Sequence, residues 1–431
     1  MRKFFQNTLY SLSGKVIGAG ALVLLDILIA RMLNPDGYAE WVYFFSFLTV
    51  LFYLGWLGIN ASSKVIISRC QGEGEIIDCL LSSFTIRTGA SIIISLIFMF
   101  FLFCFLDELG YPEKYPCLKQ LVMYSGALIF LNSFTEYYKE IFMGLGKFDR
   151  LFQLTTLEYT GYFLYAFIFL NISRNVSVVA IAYCVSGFAI FAFGLFVLIH
   201  DCKLNHLSGK KKISYKPYIL EIAKYAVPML LVGMGVVVLI EIDTFMLGIL
   251  STKNEVAIYN IGKSLNSKVA HVNYSIAVGG MTSFGVILNS EYIKKRKQFI
   301  KLSSINFSVS ILIALILFFI APALIKLLYG DAYYAAGKVT RYLTLYYILF
   351  ALSTFYSTFL DFRKQAKKRA IMYPVVIVLD ILLNIVLIPR YGAVGAAVAT
   401  TFSMAPYVIV SILVTEKEWR KLRLKGDAEN E

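Results

Sequence analysis

Charge is what this sequence is short of. Of its 431 residues only 16% are Asp, Glu, Lys or Arg, against 58% hydrophobic, and the mean hydropathy is +0.71. Soluble domains carry about 25% charged residues, and this chain has too few to cover a water-facing surface. Histidine is scarcer still: His200, His206 and His271 are all there is, little material for acid–base chemistry. The six cysteines (Cys70, Cys79, Cys104, Cys117, Cys184 and Cys202) include no CxxC pair and no metal-site Cys/His spacing. Several lie in apolar runs, where a reduced thiol acts as a small hydrophobe, so neither a disulfide nor a metal site is expected. There is no Walker-type phosphate loop, no nucleophile–base constellation and no loop large enough for a catalytic domain. The expectation is a protein that is not an enzyme and carries no cofactor. The opening MRKFFQNTLYSLSGKV lacks the short apolar core and small-residue cleavage site of a signal peptide, so the first helix should be retained.

What the chain has instead is apolar length. About 20 predominantly apolar residues cross a hydrocarbon core of roughly 30 Å. Candidate spans fall at 9–30, 41–61, 84–106, 119–141, 152–171 and 177–199, then at 222–249, 256–279, 302–328, 340–361, 370–389 and 392–414. The fold class predicted is an all-α polytopic membrane protein of about twelve transmembrane helices in two six-helix bundles. The first bundle is 1–200 and the second 219–415, joined by a basic loop at 201–218 and followed by a tail at 416–431.

The net charge of +14 is not that of a nucleic-acid binder, because the basic residues sit in short clusters between apolar runs rather than along one face. Membrane topology accounts for them. With the N-terminus placed inside, the inner segments hold 27 Lys and Arg and the outer segments nine, as the positive-inside rule requires. Both termini are therefore expected in the cytoplasm. The halves also resemble one another: GKFDR at 146–150, an apolar span and NISR ending at Arg174 are echoed 216 residues later by Phe362-Arg363-Lys364, an apolar span and Leu387-Ile388-Pro389-Arg390. Asp26 before NPDGYAEW corresponds to Asp243 before KNEVAIY, an offset of 217. Six helices per half make this a parallel repeat, of the kind found in transporters.

Ionisable residues within spans cost about 2.5–3.5 kcal/mol each on insertion scales, so they mark function or need partners. Lys15 and Asp26, eleven residues apart in the first helix, share a face and are read as lining a polar cavity. The eighth span carries Asn260, Ser264, Ser267, Lys268, His271 and Ser275 at three-or-four spacing, with Lys263 nearby; interhelical hydrogen bonding is the alternative to a cavity face. Glu136, Lys139 and Glu140 are spaced to neutralise one another locally. Glu241 and Asp243 lie about 200° apart on the helical wheel, so at most one points into any single cavity. Arg87 and Glu158 read as interfacial, and Asp380 sits mid-span with no assigned partner. Gly14 and Gly18 form a GxxxG face for close packing.

Three segments carry a family resemblance: ARMLNPDGYAEW (Ala30 to Trp41), DTFMLGILSTKNEVAIYNIGKSL (Asp243 to Leu265) and LIPRYGAVGAAVATTFS (Leu387 to Ser403). They resemble the polysaccharide biosynthesis, or Wzx-type, flippases of the multidrug/oligosaccharidyl-lipid/polysaccharide exporter superfamily. The resemblance implies an inner-membrane protein that moves an undecaprenyl-pyrophosphate-linked oligosaccharide from the cytoplasmic to the periplasmic leaflet by alternating access. Its partners would be that substrate, the bilayer, and a polysaccharide polymerase and glycosyltransferases. Lys15, Lys263, Lys268 and His271, with Asn260 and Ser264, are the substrate-binding residues this implies. Asp26, Asp243 and Glu136 are the ion-coupling candidates, with H+, Na+ or the membrane potential as the drive. Together with Asp380 they also keep open a cation-coupled drug antiporter of the same superfamily.

Overall fold

The structure, a computed structural model, describes residues 2–70, 72–105, 114–201, 215–281, 284, 287, 291–363 and 372–428. Among them all extended regular structure is helical and there is no strand. The helices are α1 (Arg2–Met32), α2 (Pro35–Trp56), α3 (Ile59–Ile67), α4 (Glu73–Phe105), α5 (Leu118–Gly144), α6 (Phe148–Ile172) and α7 (Val176–Asp201). They continue as α8 (Tyr215–Leu250), α9 (Lys253–Met281), α10 (Tyr292–Tyr329), α11 (Ala336–Phe362) and α12 (Met372–Ala428). The described part of every candidate span is helical, apart from a break at residues 57–58 in the second. Among the described residues six helices (α2, α4, α7, α10, α11 and α12) are long and apolar enough to cross a bilayer. Most of the basic loop, residues 202–214, lies outside the described residues, and 416–428 continue α12 as helix.

Two compact units divide the chain, residues 1–237 and 238–431, and the division falls inside α8. In the first unit α1 packs along α6, and α5 is flanked by α3, α4 and α7. Gly14 and Gly18 do serve close packing: a Cβ at Gly14 would touch Phe152, and one at Gly18 would run into the Tyr159 ring. In the second unit α11 is the central helix, packed by α9, α10 and α12. The repeat is visible in helix starts. Pro35 and Lys253 open α2 and α9, 218 residues apart (253 less 35), and Leu118 and Ala336 open α5 and α11 at the same offset (336 less 118).

Two interruptions position the polar residues. Helix α2 begins with Pro35 at its first turn, where a missing N–H costs nothing, and stops where Leu57 and Gly58 turn left-handed, at φ 48° and 69°. Its last carbonyls are left without helical partners. Arg87 supplies them: one terminal nitrogen donates to Gly55 O at 2.6 Å, the other to Trp56 O at 3.0 Å, and Nε donates to Ser91 Oγ at 2.8 Å. Arg87 is fully buried, which corrects its interfacial reading. The second interruption is Gly392, at φ 54° and ψ −132°, which splits α12 into two legs. There the Glu255 carboxylate accepts the Ala393 N–H at 2.6 Å, meeting the N-terminal donors of the second leg. A Cβ at Gly392 would collide with that carboxylate.

Replacing Gly392 by Ala therefore sets left-handed strain against a buried cap. The substitution is expected to destabilise by about 1–3 kcal/mol, read as a lowered thermal midpoint of the detergent-purified protein. A midpoint equal to wild type would show that the kink does not depend on glycine.

Candidate functional site

The first unit buries a three-charge cluster. Lys139, in the second half of α5, places Nζ 2.6 Å from Glu136 Oε1 and 2.6 Å from Glu158 Oε2 on α6. It also lies 5.5 Å from the Tyr159 ring. The i,i+3 spacing brings in Glu136, as the sequence suggests. Glu140 instead pairs with Lys64 at 2.5 Å, and Glu158 is buried at 4% exposure rather than interfacial. Burial forces this arrangement, since a lone ion in an apolar body is far costlier than a paired one. Two carboxylates around one ammonium leave the cluster one charge negative.

Beside it opens a cavity of about 280 Å³. Its walls are aromatic (Phe45, Phe52, Tyr53 and Trp56 from α2, Tyr159 and Tyr162 from α6, Tyr183 from α7), and its polar points are Thr49, Asn132, Glu136 and Glu158. Trp56 Nε1 donates to Asn132 Oδ1 at 3.0 Å, and the Tyr162 and Tyr183 rings stack at 4.3 Å. Asp26, at the end of α1 away from Lys15, accepts the Tyr38 hydroxyl at 2.8 Å. The Lys15 side chain lies outside the described residues.

The second unit holds two polar groups on opposite sides of α8, as the wheel argument requires. On one side Lys263 of α9 donates to Glu241 Oε2 at 3.0 Å and approaches Thr244 Oγ1 at 3.5 Å. The Thr244 hydroxyl donates to Asn260 Oδ1 at 3.3 Å. Lys263, one of the expected substrate-binding residues, is thus ion-paired with Glu241. Ser264 and Lys268 follow on the same helix, both half-buried. The side chains of His271 and Ser275 lie outside the described residues. On the other side Asp243, 1% exposed, accepts three hydrogen bonds: from Tyr259 Oη at 2.5 Å, Asn384 Nδ2 at 2.7 Å and Thr400 Oγ1 at 2.7 Å. Asp380, fully buried, lies within reach of Asp243 and of Ser403, so it does have a neighbour, and that neighbour is another acid.

The structure therefore joins Asn260 and Lys263 through Thr244, and sets Asp243 in a separate cluster from them. Sequence reasoning overlooked Tyr259, Asn384 and Thr400. The legible signal was Asp380 and Asn384 at i,i+4 on one face of α12, aligned toward the same side.

Substituting Met for Lys139 would leave two carboxylates, Glu158 buried and Glu136 part-buried, without their cation. It is expected to cost about 3–5 kcal/mol in thermal unfolding, with much of the loss restored when Glu136 and Glu158 are changed to Gln as well. A single Lys139→Met variant as stable as wild type would show the ion triad to be dispensable.

A family model described as polysaccharide biosynthesis protein matches residues 4–279, and a MatE model matches 228–389. No curated protein matches the chain by sequence. Among solved structures, an inward-facing multidrug resistance MATE family transporter of the MOP superfamily superposes with a TM-score of 0.73 at 14% identity, covering 94% of each chain. The lipid II flippase MurJ, in an inward closed conformation, gives 0.69 at 15% identity, over 98% of this chain and 90% of that one. A MOP superfamily transporter from Pyrococcus furiosus, noted for the reverse polarity of its binding pocket, gives 0.63 at 14%, over 97% and 96%. These neighbours are transporters and flippases rather than enzymes. On the family match, this chain belongs to the polysaccharide biosynthesis proteins, and its multi-pass helical fold is that of the MOP superfamily transporters it superposes on.

Proposed function

We propose that this protein is a flippase that moves an undecaprenyl-pyrophosphate-linked oligosaccharide from the cytoplasmic to the periplasmic leaflet of a bacterial inner membrane. Both termini stay in the cytoplasm, and glycosyltransferases and a polymerase work on either side of the step. The observation that carries the reading is the polar face of α9, with Lys263 held by Glu241 and Lys268 further along the same helix. Within a membrane body an ionisable residue is a functional-site hypothesis by default. An anionic pyrophosphate approaching this face competes with Glu241 for Lys263, and Lys15 and Lys268 are its other cationic contacts. Outward movement of each negative charge is favoured by about 2.3 kcal/mol per 100 mV of inside-negative potential.

The acids of the second unit suit a coupling cation. Asp243 and Asp380 with Asn384 and Thr400 present oxygen donors in one buried cluster, where two adjacent carboxylates call for a proton or Na+ between them. Asp26 and Glu136, engaged by Tyr38 and Lys139, are the lesser coupling candidates.

One set of variants tests both points. Lys263→Ala and Lys268→Ala are expected to lower surface polysaccharide at matched protein level. Glu241→Gln, which frees Lys263, is expected to tighten binding of the pyrophosphate headgroup by about tenfold, the worth of some 1.4 kcal/mol. Asp243→Asn should abolish the dependence of transport on a cation gradient. Unchanged polymer output in both lysine variants would refute the cargo site.

A second reading has its own observation. An aromatic cavity with excess acid, such as the one beside Glu136 and Glu158, is suited to an organic cation. This favours a cation-coupled drug antiporter. Drug resistance on overexpression, with surface polysaccharide unaffected by deletion, would select it.

A further inference from the structure

One end of the second unit gathers positive charge on a rigid base. The start of α10 and the end of α12 meet there: Arg296 grips the Glu416 carboxylate with one terminal nitrogen, at 2.9 and 2.7 Å. The same guanidinium lies 5.2 Å from the Trp419 ring. Trp419 is buried at 1% exposure, stacked on Phe359 at 5.4 Å and packed against Phe299 and Tyr292. The two helix ends are locked in register by an ion pair and an aromatic core.

Around this core the charges are lopsided. Glu416 is taken by Arg296, and Glu418 lies 3.4 Å from Lys421. Lys294, Lys297, Lys301, Lys417 and Arg420 are exposed and have no acidic partner among the described residues. Five uncompensated cations on adjoining helix ends make a fixed positive surface, and each helix leads from it directly into an apolar stretch. The positive-inside count assigns this end to the cytoplasmic leaflet. We infer that this end of α10 and α12 is a docking platform for anionic phospholipid headgroups, with Lys294, Lys297, Lys301, Lys417 and Arg420 as its contacts. Clusters of basic residues at helix ends attract an anionic leaflet through its surface potential, with a reach of about one Debye length. The zwitterionic headgroup has no net charge to attract, so the platform distinguishes lipids by charge. The cationic surface does not draw on Lys263 or the acids, and so holds whichever cargo the protein carries.

The test is lipid binding to the detergent-purified full-length chain, titrated with phosphatidylglycerol and with phosphatidylcholine and read by native mass spectrometry and by thermal stabilisation. Wild type should prefer phosphatidylglycerol by about tenfold or more at low salt, with the preference collapsing at high ionic strength. The variant K294Q/K297Q/K301Q/K417Q/R420Q should lose the preference while keeping the wild-type thermal midpoint in the absence of lipid. The smaller K417Q/R420Q change, which leaves Arg296, Glu416 and Trp419 intact, should lose it in part. A control, K326Q/K338Q/R390Q, neutralises exposed residues assigned to the opposite face and should keep it. The proposal is overturned if the five-site variant retains full preference, if the control loses as much, or if wild type binds inorganic pyrophosphate at this end and ignores phosphatidylglycerol.

Discussion

A charge inside an apolar helical body must find a partner, and that requirement organises both units of this protein. An ionised side chain at the bilayer centre costs about 2.5–3.5 kcal/mol on insertion scales, comparable to a sizeable part of a whole protein's stability margin. Each buried ion here meets the demand differently. Arg87 spends its donors on the orphaned carbonyls of a broken helix. Lys139 divides itself between two carboxylates, and Lys263 takes one. Asp243 is held by a tyrosine, an asparagine and a threonine, without a cation. The last arrangement leaves a formal charge uncompensated, and it is the one with a second acid beside it.

One of these solutions has a counterpart in the other unit. In each unit an aspartate late in one helix accepts a tyrosine hydroxyl from the next: Asp26 from Tyr38, and Asp243 from Tyr259. The surroundings differ: Asp26 is half-exposed, while Asp243 is buried with Asp380. The tyrosines lie 221 residues apart (259 less 38) against 217 for the aspartates (243 less 26), so the two hydrogen bonds are alike without occupying equivalent positions of the repeat.

Element by element, the fold was legible because apolar length is a strong signal: the span 340–361 lies inside α11 as α11 runs from Ala336 to Phe362. The opposed directions of Glu241 and Asp243 were legible too, since they follow from helix geometry alone. The pairings across helices were not. Lys139 and Glu158 are 19 residues apart (158 less 139) on different helices, and no local rule brings them together. Arg87 looked interfacial because its distance from the span's start suggested a helix end, and nothing in the sequence showed that α2 would break at Gly58 and need its donors. The pairing of Lys263 with Glu241 was hidden in the same way, since the two are 22 residues apart on different helices.

This pairing changes how an anionic cargo could be held. The chain carries +14 overall, but several described clusters inside the units hold no surplus cation: Glu136 and Glu158 share Lys139, Glu241 has Lys263, and Asp243 lies beside Asp380, whereas Arg87 is a buried cation held by backbone carbonyls. The surplus positive charge sits at helix ends. An anionic cargo that reached Lys263 would have to compete with Glu241 for its ammonium. The same competition would favour release, because the returning carboxylate contends for the ammonium that holds the cargo. A cavity of unpaired lysines would bind the anion more tightly and let it go less readily, which is a poor bargain for a protein whose work is completed by letting go.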